Sequence, residues 1–232
     1  MTSFVVVTPS RGLVHSRTVE SVMANVADAQ AAGHEFRGWR LSHALPIPDC
    51  HQDVAEQGLA TGADALWFVE EDVIPPAGAL LALFDALRAY EVAAIDYPVW
   101  NGGKHWSCIC RSRDGGPNER PSTGPIRYTG LGCTLVRRSL FGRLNPPWFR
   151  SDMQFQILRV GNTTELVQKP VAYEYGGQDI YFAYRALEAG MTIGEVPMTA
   201  GHARVAEMGK RGTNHGCHTI ETIDTIERWQ RI

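Results

Sequence analysis

The sequence predicts an α/β fold: an open, mostly parallel, Rossmann-like sheet flanked by helices, with a small antiparallel excursion. Three observations predict it. In the first 97 residues, short apolar runs alternate with segments of helical period. The runs are apolar throughout, as is typical of strands that are buried on both faces. A stretch rich in Gly, Pro and Arg over 101–127 then interrupts the alternation and predicts the excursion.

The N-terminal half gives the clearest elements. The first strand is β-branched and stops at Pro9, the first helix carries apolar residues every third or fourth position, and the third helix has a proline near its first turn. The predicted strands are Phe4–Thr8, Phe36–Leu41, Leu66–Val69 and Val92–Ile95. The predicted helices between them are Ser16–Ala32, Asp49–Ala60 and Pro76–Tyr90.

The C-terminal half is less regular. A short strand is predicted over Trp106–Cys110, and YTGLGCTLVRRSLF predicts a strand followed by a short helix. KPVAYEYGGQDIYFAYRALEAG predicts a strand, a glycine loop and a helix over Asp179–Ala189 that ends at a glycine. Thr192–Val196 is the last predicted strand, 206–218 a mobile loop, and Thr219–Arg231 a terminal helix.

Composition limits the classes of function. With 232 residues, 44% of them hydrophobic, the chain is expected to form a single domain. A net charge of −3 argues against a strong binder of polyanions, and no apolar run is long enough for a membrane span. The N-terminus shows no signal peptide, and the five irregularly spaced cysteines favour free thiols in a reducing, cytoplasmic location.

The segment LWFVEEDVIPP places three acids at the end of an apolar strand. Ligands bind at the carboxyl ends of the strands in open parallel sheets. Strand alternation predicts that Glu70 and Asp72 point to one side and Glu71 to the other, which would make Glu71 dispensable. Two converging carboxylates suit a hard cation such as Mg²⁺ or Mn²⁺ and hence a phosphorylated ligand. The competing interpretation is a set of solvated loop acids.

Other known site patterns are weak or missing. Neither G-x-G-x-x-G nor a P-loop follows the first strand, so phosphates are expected to be held by metal and basic side chains. His105, Cys108, Cys110, Cys133 and the Cys-His at 217–218 suggest zinc, but no paired C-x₂-C elements support it.

Three ordered segments resemble GT-A-fold glycosyltransferases of the family 2-like group. The D-x-D segment of the family is similar to LWFVEEDVIPPAGALLAL. The family's small-residue turn, strand and helix, which border the acceptor site, are similar to YTGLGCTLVRRSLFGRLNPPWF. Its E-D…R…G…H segment is similar to GGQDIYFAYRALEAGMTIGEVPMTAGHAR. The three motifs occur in the order that the family has them, and together with the N-terminal half the resemblance covers about 200 residues. Glu70 replaces the usual first Asp, and Gln178 replaces the acid that commonly precedes the catalytic Asp.

The resemblance implies a metal-dependent transfer of sugar from a nucleoside diphosphate sugar, with a UDP-sugar favoured, to an acceptor hydroxyl. Glu70, Asp72 and His202 would hold Mn²⁺ or Mg²⁺. Asp179 would be the general base of an inverting reaction; the simpler interpretation is that it caps a helix. By the same resemblance, 1–97 is the nucleotide-sugar-binding half, 98–205 the acceptor and catalytic half, and 206–232 a mobile loop and C-terminal helix.

The remaining site residues also follow from the resemblance. The nucleotide-sugar set contains residues of the first loop, the acidic turn and a basic late loop: Thr8, Pro9, Arg11, Glu70, Glu71, Lys210 and Arg211. His51 or Asp53 is a further candidate for contacting the base. The acceptor set is Trp100, Trp106, Trp148 and Gln178, although core packing is the ordinary role of a tryptophan.

The acceptor is open. The excursion interleaves Arg with aromatics, which suits nucleic acid, and some phage-encoded relatives glycosylate hydroxylated pyrimidines in DNA. A protein Ser/Thr, a glycan or a lipid competes with DNA. A non-catalytic nucleotide-sugar or carbohydrate-binding module is the alternative of a different class, and a nucleotidyltransferase is a third. The sequence does not determine the sugar or the oligomeric state; a UDP-sugar is favoured by the resemblance, and inversion is favoured because Asp179 fits the role of a base.

Overall fold

The structure is a computed structural model of the protein. It describes the backbone of residues 1–10, 12–42, 45–101, 104–110, 124–126, 128–151, 153–160, 163–170, 177–207 and 219–224. Side chains are not described over 100–106, 110, 124–125, 153–170 and 204–224.

Sixteen strands and five helices occur in these residues. The strands are β1 (Ser3–Thr8), β2 (Glu35–Leu41), β3 (Ala65–Val69), β4 (Val73–Ile74), β5 (Val92–Asp96), β6 (Pro98–Asn101), β7 (Lys104–Ser107), β8 (Ile109–Cys110), β9 (Gly124–Pro125), β10 (Tyr128–Thr129), β11 (Cys133–Arg137), β12 (Met153–Val160), β13 (Thr163–Pro170), β14 (Ile193–Thr199), β15 (Gly201–Glu207) and β16 (Thr219–Asp224). The helices are α1 (Ser16–Ala31), α2 (Asp49–Ala60), α3 (Ala79–Ala86), α4 (Arg138–Arg143) and α5 (Gln178–Glu188).

The central sheet has the strand order β2-β1-β3-β11-β5-β14-β9. β1, β2, β3, β5 and β14 run in one direction, and β11 is inserted antiparallel between β3 and β5. The predicted fold class is confirmed: the sheet is open, mostly parallel and flanked by helices. The small antiparallel excursion is confirmed as well, since β6 pairs antiparallel with β7.

The two faces of the sheet are covered by different helices. On one face α1 packs against α3, and Phe84 of α3 contacts Phe4 of β1 at 5.6 Å between ring centroids. On the other face an aromatic cluster joins the sheet to α4 and α5 and reaches the start of α2; its members are Phe68, Phe141, Trp148, Phe149, Phe182 and His51. β3 is entirely buried between these layers, as its continuous apolar run predicts.

Two C-terminal elements differ from the prediction. The helix predicted over Thr219–Arg231 is wrong in its first six residues, which form β16 and pair with β15. The sequence TIETID places β-branched residues at alternate and adjacent positions, which favours a strand once a partner edge is present. The long β12–β13 hairpin was not predicted beyond a strand in KPVAY, and β13 ends at Pro170.

In the part of the chain that the structure describes, no helix combines the length and the apolar character needed to cross a membrane.

Candidate functional site

The carboxyl ends of the parallel strands meet at one edge of the sheet, and the candidate site is built there. β1 leads into the loop that begins at Pro9, β3 into the acidic turn Glu70–Asp72, and β5 into Tyr97. β11 is antiparallel, so its preceding glycine turn 130–132 lies at the same edge. A cavity of about 220 Å³ opens at this edge; its lining residues are Pro9, Ile47, Cys50, His51, Glu70, Glu71, Asp72 and His202.

Asp72 and His202 form the first close pair of the site. β15 pairs with β4, so His202 lies beside Val73, and the backbone N–H of Ala203 donates to the carbonyl of Asp72 at 2.7 Å. This pairing brings His202 Nε2 to 3.3 Å from Asp72 Oδ2. The other ring nitrogen, Nδ1, lies 2.6 Å from the carbonyl oxygen of Pro98.

Both ring nitrogens of His202 therefore face acceptors. Burial by itself lowers the pKa of His202, but hydrogen bonding with Asp72, the charge of Asp72 and the Pro98 carbonyl outweigh it and raise the pKa. An imidazolium satisfies both acceptors. A cation between Nε2 and Asp72 does so equally well, because Nδ1–H donation to a backbone carbonyl is the arrangement of metal-bound histidines.

The residues present therefore fit a divalent cation held by two protein ligands. Within the described residues, no group of three His, Cys, Asp or Glu side chains converges to hold a metal alone. Mg²⁺ and Mn²⁺ sites commonly take one or two carboxylates and complete their coordination with water and substrate phosphates. Asp72 supplies one such carboxylate and His202 adds a ring nitrogen, while Glu70, in the lining of the same cavity, contacts His51 and Tyr97.

Glu70 lies between two ring side chains. His51 Nε2 is 3.8 Å from Glu70 Oε1, and the Tyr97 hydroxyl donates to Glu70 Oε2 at 3.4 Å. Burial and the charge of Glu70 raise the pKa of Tyr97 well above 10, so its hydroxyl stays protonated. Burial acts to lower the pKa of His51, but hydrogen bonds and charge interactions with Cys50 and Glu70 outweigh it and raise the pKa to about 9.

Asp179 lies in the first turn of α5, after Gly177 at φ 84°. The backbone N–H of Ile180 donates to Asp179 Oδ1 at 2.8 Å. Burial and the charge of Glu70 raise the pKa of Asp179 to about 6, while the Ile180 N–H and the charge of His51 act in the opposite direction. The charges of Glu70 and His51 thus act on Asp179 in opposite directions, and its carboxyl is more basic than an ordinary aspartate.

Glu71 reaches the first loop. β3 ends at Val69, so strand alternation does not extend through the three acids, and each contacts a different element. Glu71 Oε2 accepts a hydrogen bond from Ser10 Oγ at 2.9 Å, and its backbone carbonyl accepts from His15 N–H at 2.8 Å. Ser10 is itself buried and bonded to Ser42. Glu71 thus contributes to holding the first loop.

The other predicted residues lie in varied surroundings. Pro9 lines the cavity, whereas Thr8 is fully buried and its Oγ1 accepts from Trp39 Nε1 at 2.9 Å. Gln178 is buried, and its Oε1 has no hydrogen-bond partner among the described residues. Trp148 lines a separate cavity of about 810 Å³, at the edge of the sheet where β1 and β3 begin. It therefore lies at the opposite end of these strands from the acidic turn Glu70–Asp72.

Several predictions lie outside the described residues. These concern Arg11, Lys210, Arg211 and most of the 101–127 and 206–218 segments. Trp100 lies in β6 and Trp106 in β7, but their side chains are not described. Asp53, a candidate for the base, is bonded within α2 to Gln57 and does not line the cavity.

Tyr97, Ser10 and Cys50 were missed by sequence reasoning, and His51 was named only as a base contact. A rule that every residue following a parallel strand belongs to the ligand edge would have found Tyr97 and Ser10. His51 and Cys50 come from the first turn of α2, and no pattern in the sequence ties them to Glu70.

No protein-family model matches the sequence, and no curated protein matches it significantly. Among solved structures, the protein A197 from STIV aligns with a TM-score of 0.54 at 16% identity, covering 87% of this chain and 85% of its own. This similarity establishes a shared fold and carries no information about chemistry.

Two neighbours with TM-scores of 0.45 are complexes with sugars and nucleotides. One is a Drosophila beta-1,4-galactosyltransferase 7 with manganese, UDP-Gal and xylobiose, at 14% identity over 100% of this chain and 74% of its own. The other is GalNAc-T7 with UDP, GalNAc and Mn²⁺, at 11% identity over 87% of this chain and 44% of its own. At this level of similarity the two alignments carry no argument about this chain.

Proposed function

We propose that this chain is a metal-dependent glycosyltransferase that moves a sugar from a nucleoside diphosphate sugar to an acceptor hydroxyl with inversion. The observation that carries the proposal is the Asp72–His202 pair at the ligand edge, 3.3 Å apart, with the far ring nitrogen held by the Pro98 carbonyl. The motif resemblance given above supports the same chemistry, and the fold is compatible with it.

The reaction exchanges one bond at the anomeric carbon and moves one proton. The acceptor oxygen forms a bond to the anomeric carbon as the bond from that carbon to the diphosphate oxygen breaks, and the nucleoside diphosphate leaves with the electron pair. A divalent cation held by Asp72 and His202 would neutralise charge on that diphosphate. The acceptor proton passes to the carboxylate of Asp179.

Asp179 suits the role of base for an electrostatic reason. A carboxyl with a pKa of about 6 is ionised at neutral pH yet holds a proton more strongly than an ordinary aspartate. Its position at the first turn of α5 also supports a cap role, through the 2.8 Å contact from the Ile180 N–H. The two roles are compatible, because that contact occupies one carboxylate oxygen and leaves the other.

The donor site is expected at the cavity beside the acidic turn. Pro9 and Ile47 supply apolar walls, and the acids and histidines supply polar groups. We take UDP-sugars as the first donors to test, on the resemblance. For the acceptor, a hydroxylated base in DNA comes first, followed by protein Ser/Thr and glycans, because the predicted basic segments interleave arginine with aromatics.

The first experiment is a thermal-shift screen of UDP-, GDP-, CDP- and TDP-sugars with Mn²⁺, followed by a transfer assay with the donor that binds. Asp179→Ala is expected to lower kcat about 10²–10⁴-fold while donor binding persists. Asp72→Ala is expected to abolish the dependence on Mn²⁺. The control is Asp85→Ala, since Asp85 is 73% exposed on α3 and pairs with Arg88. Wild-type turnover in both site variants would refute the mechanism.

Two outcomes separate the alternatives. Donor binding without turnover, across oligonucleotide, peptide and glycan acceptors, would favour a non-catalytic binding module. For the DNA acceptor, binding to a hydroxymethylated oligonucleotide is expected to weaken steeply with salt, because phosphate contacts release counterions. No binding at low salt would eliminate DNA.

A further inference from the structure

Glu70 is the acid whose surroundings the proposed mechanism leaves unexplained. It does not contact His202 in the described structure, and its two carboxylate oxygens face different side chains from different parts of the chain. Oε1 faces His51 from the first turn of α2, and Oε2 faces Tyr97 from the end of β5. Glu70 itself is only 24% exposed, and both partners are almost fully buried.

The hydrogen bonding of the His51 ring determines whether the ring nitrogen facing Glu70 carries a proton. Its Nδ1 lies 3.3 Å from the Cys50 sulfur, and its ring packs against Phe149 at 5.6 Å. If the thiol S–H donates to Nδ1 in neutral His51, the ring proton is on Nε2. In the imidazolium both nitrogens carry protons. In both cases Nε2 carries a proton and lies 3.8 Å from Glu70 Oε1, which is an ion-pair distance longer than a hydrogen bond, and Nε2 has no hydrogen-bond partner among the described residues.

Tyr97 is fixed just as firmly on the other side. Its hydroxyl accepts the backbone N–H of Gly132 at 3.1 Å, which directs the hydroxyl proton toward Glu70. The ring lies edge-on to His202, 5.6 Å between centroids, and fills the space behind the glycine turn. Neither partner of Glu70 can rotate away without breaking a second contact of its own.

We infer that His51 and Tyr97 are positioning residues that together fix the carboxylate of Glu70 in the donor site. The inference rests on the proposed function for what that carboxylate does, but the clamp itself is a property of the free protein. It separates the two acids that the sequence treats as equivalent. Asp72 remains available to a cation with His202, while Glu70 is held by the ion pair with His51 and the hydrogen bond from Tyr97 and is presented to the ligand in one orientation.

The clamp is tested in the free protein by the ¹⁵N and ¹H resonances of the histidine rings, with the His51 signals identified by their loss in His51→Gln. A protonated Nε2 is expected, and Glu70→Gln is expected to shift its resonance. The matched control is Glu71→Gln, because Glu71 bonds to Ser10 instead. A ring protonated only on Nδ1, or equal responses to the two Glu→Gln changes, would overturn the inference.

The functional readout is a double-mutant cycle on the binding of the Mn²⁺–donor complex. His51→Leu and Tyr97→Phe each remove a polar N–H or O–H group that faces the charged Glu70, and each is expected to weaken binding of the Mn²⁺–donor complex about 10- to 100-fold. His51→Gln keeps a side-chain N–H and should therefore weaken this binding less than His51→Leu. In a Glu70→Gln background the same changes should have little further effect. His34→Leu is the control for loss of a histidine elsewhere, because His34 stacks on Phe84 away from the site.

The outcomes distinguish this inference from the proposed function. If no nucleotide sugar binds the wild-type protein, the function fails, and the ring resonances still decide whether the clamp exists. If donors bind and the effects of His51→Leu and Glu70→Gln are additive, the function stands and the clamp is refuted. If His51→Leu does not fold, His51→Gln and Tyr97→Phe carry the cycle.

Discussion

At the scale of the residue, the carboxyl that suits Asp179 to act as a base also lowers the stability of the folded protein. Its pKa is about 6 in the folded protein and 3.8 for an ordinary aspartate. Between those values the folded state binds more protons than the unfolded state, so the free energy of unfolding falls as pH rises from about 4 to about 6. Above that range the ionised carboxylate costs at most about 3 kcal/mol, less where water reaches it.

We therefore expect Asp179→Asn to raise the free energy of unfolding at pH 7 while removing transfer activity. The amide keeps an acceptor for the Ile180 N–H and loses the half-buried charge. At pH 4 the variant and the wild type should have nearly equal stability, because the folded wild type is then protonated. Urea unfolding at both pH values measures the difference.

The control for this prediction is Asp85→Asn, an exposed change that should alter stability little at either pH. Destabilisation of Asp179→Asn by the same amount at pH 4 and pH 7 would mean that the cap, and not the half-buried charge, dominates the energetics of this position.

Single residues also show where sequence reasoning reaches its limit. The position of the acids at the ligand edge follows from the apolar run of β3, and the structure has them there. Their individual directions do not follow, because they lie in a turn whose shape depends on distant partners. Glu71 was expected to be dispensable by strand alternation, yet it bonds to the buried Ser10 and so supports the first loop.

At the scale of the element, the glycine turn before β11 is fitted to Tyr97. A Cβ at Gly132 would lie 2.6 Å from Tyr97 Cζ and 2.7 Å from Val73 Cγ2. Both neighbours are buried and cannot move aside, so Gly132→Ala is expected to lower the free energy of unfolding by about 1–3 kcal/mol. It should also weaken donor binding, because Tyr97 contacts both Glu70 and His202.

Gly142→Ala provides the matched comparison in chemical denaturation. A Cβ at Gly142 meets nothing within 4 Å, and the residue lies in helix α4, where alanine is favoured over glycine by about 0.5–1 kcal/mol. The two Gly→Ala changes should therefore have opposite signs. Equal effects would show that the Tyr97 contact is looser than the structure indicates.

The elements differ in how far local sequence determines them. α1, α2 and the strands β1, β3 and β5 were predicted closely, because a run of apolar residues or a helical period is sufficient for each. α3 is shorter than predicted, beginning after Gly78 at φ 74°. The three-stranded β16-β15-β4 sheet was not predicted. β4 has only two residues, and they form a strand because they pair with β15, which lies far away in the sequence.

At the scale of the whole molecule, the Asp72–His202 pair joins two distant parts of the chain. A cation bound there should stabilise the native state by about 2.7 kcal/mol at a concentration of 100 Kd. For a domain of this size that corresponds to a rise in Tm of about 5–10 °C. The rise should be lost in His202→Ala and kept in His34→Ala; differential scanning calorimetry with and without Mn²⁺ measures both.

If His202→Ala keeps the full shift, the cation binds elsewhere, and the pairing of β15 with β4 has another purpose. A shift that is lost in both variants would instead indicate that the loss of either histidine perturbs the fold as a whole.

The antiparallel pairing of β15 with β4 affects the order in which the site forms during synthesis and folding. Asp72 is translated early, and the histidine that faces it is added only after the sheet strands from β1 to β14 have been synthesised. A nascent chain on the ribosome can thus assemble most of its core while Asp72 still lacks its histidine partner. Completion of the site would be among the last events of biogenesis, so metal capture would report that the chain has finished folding.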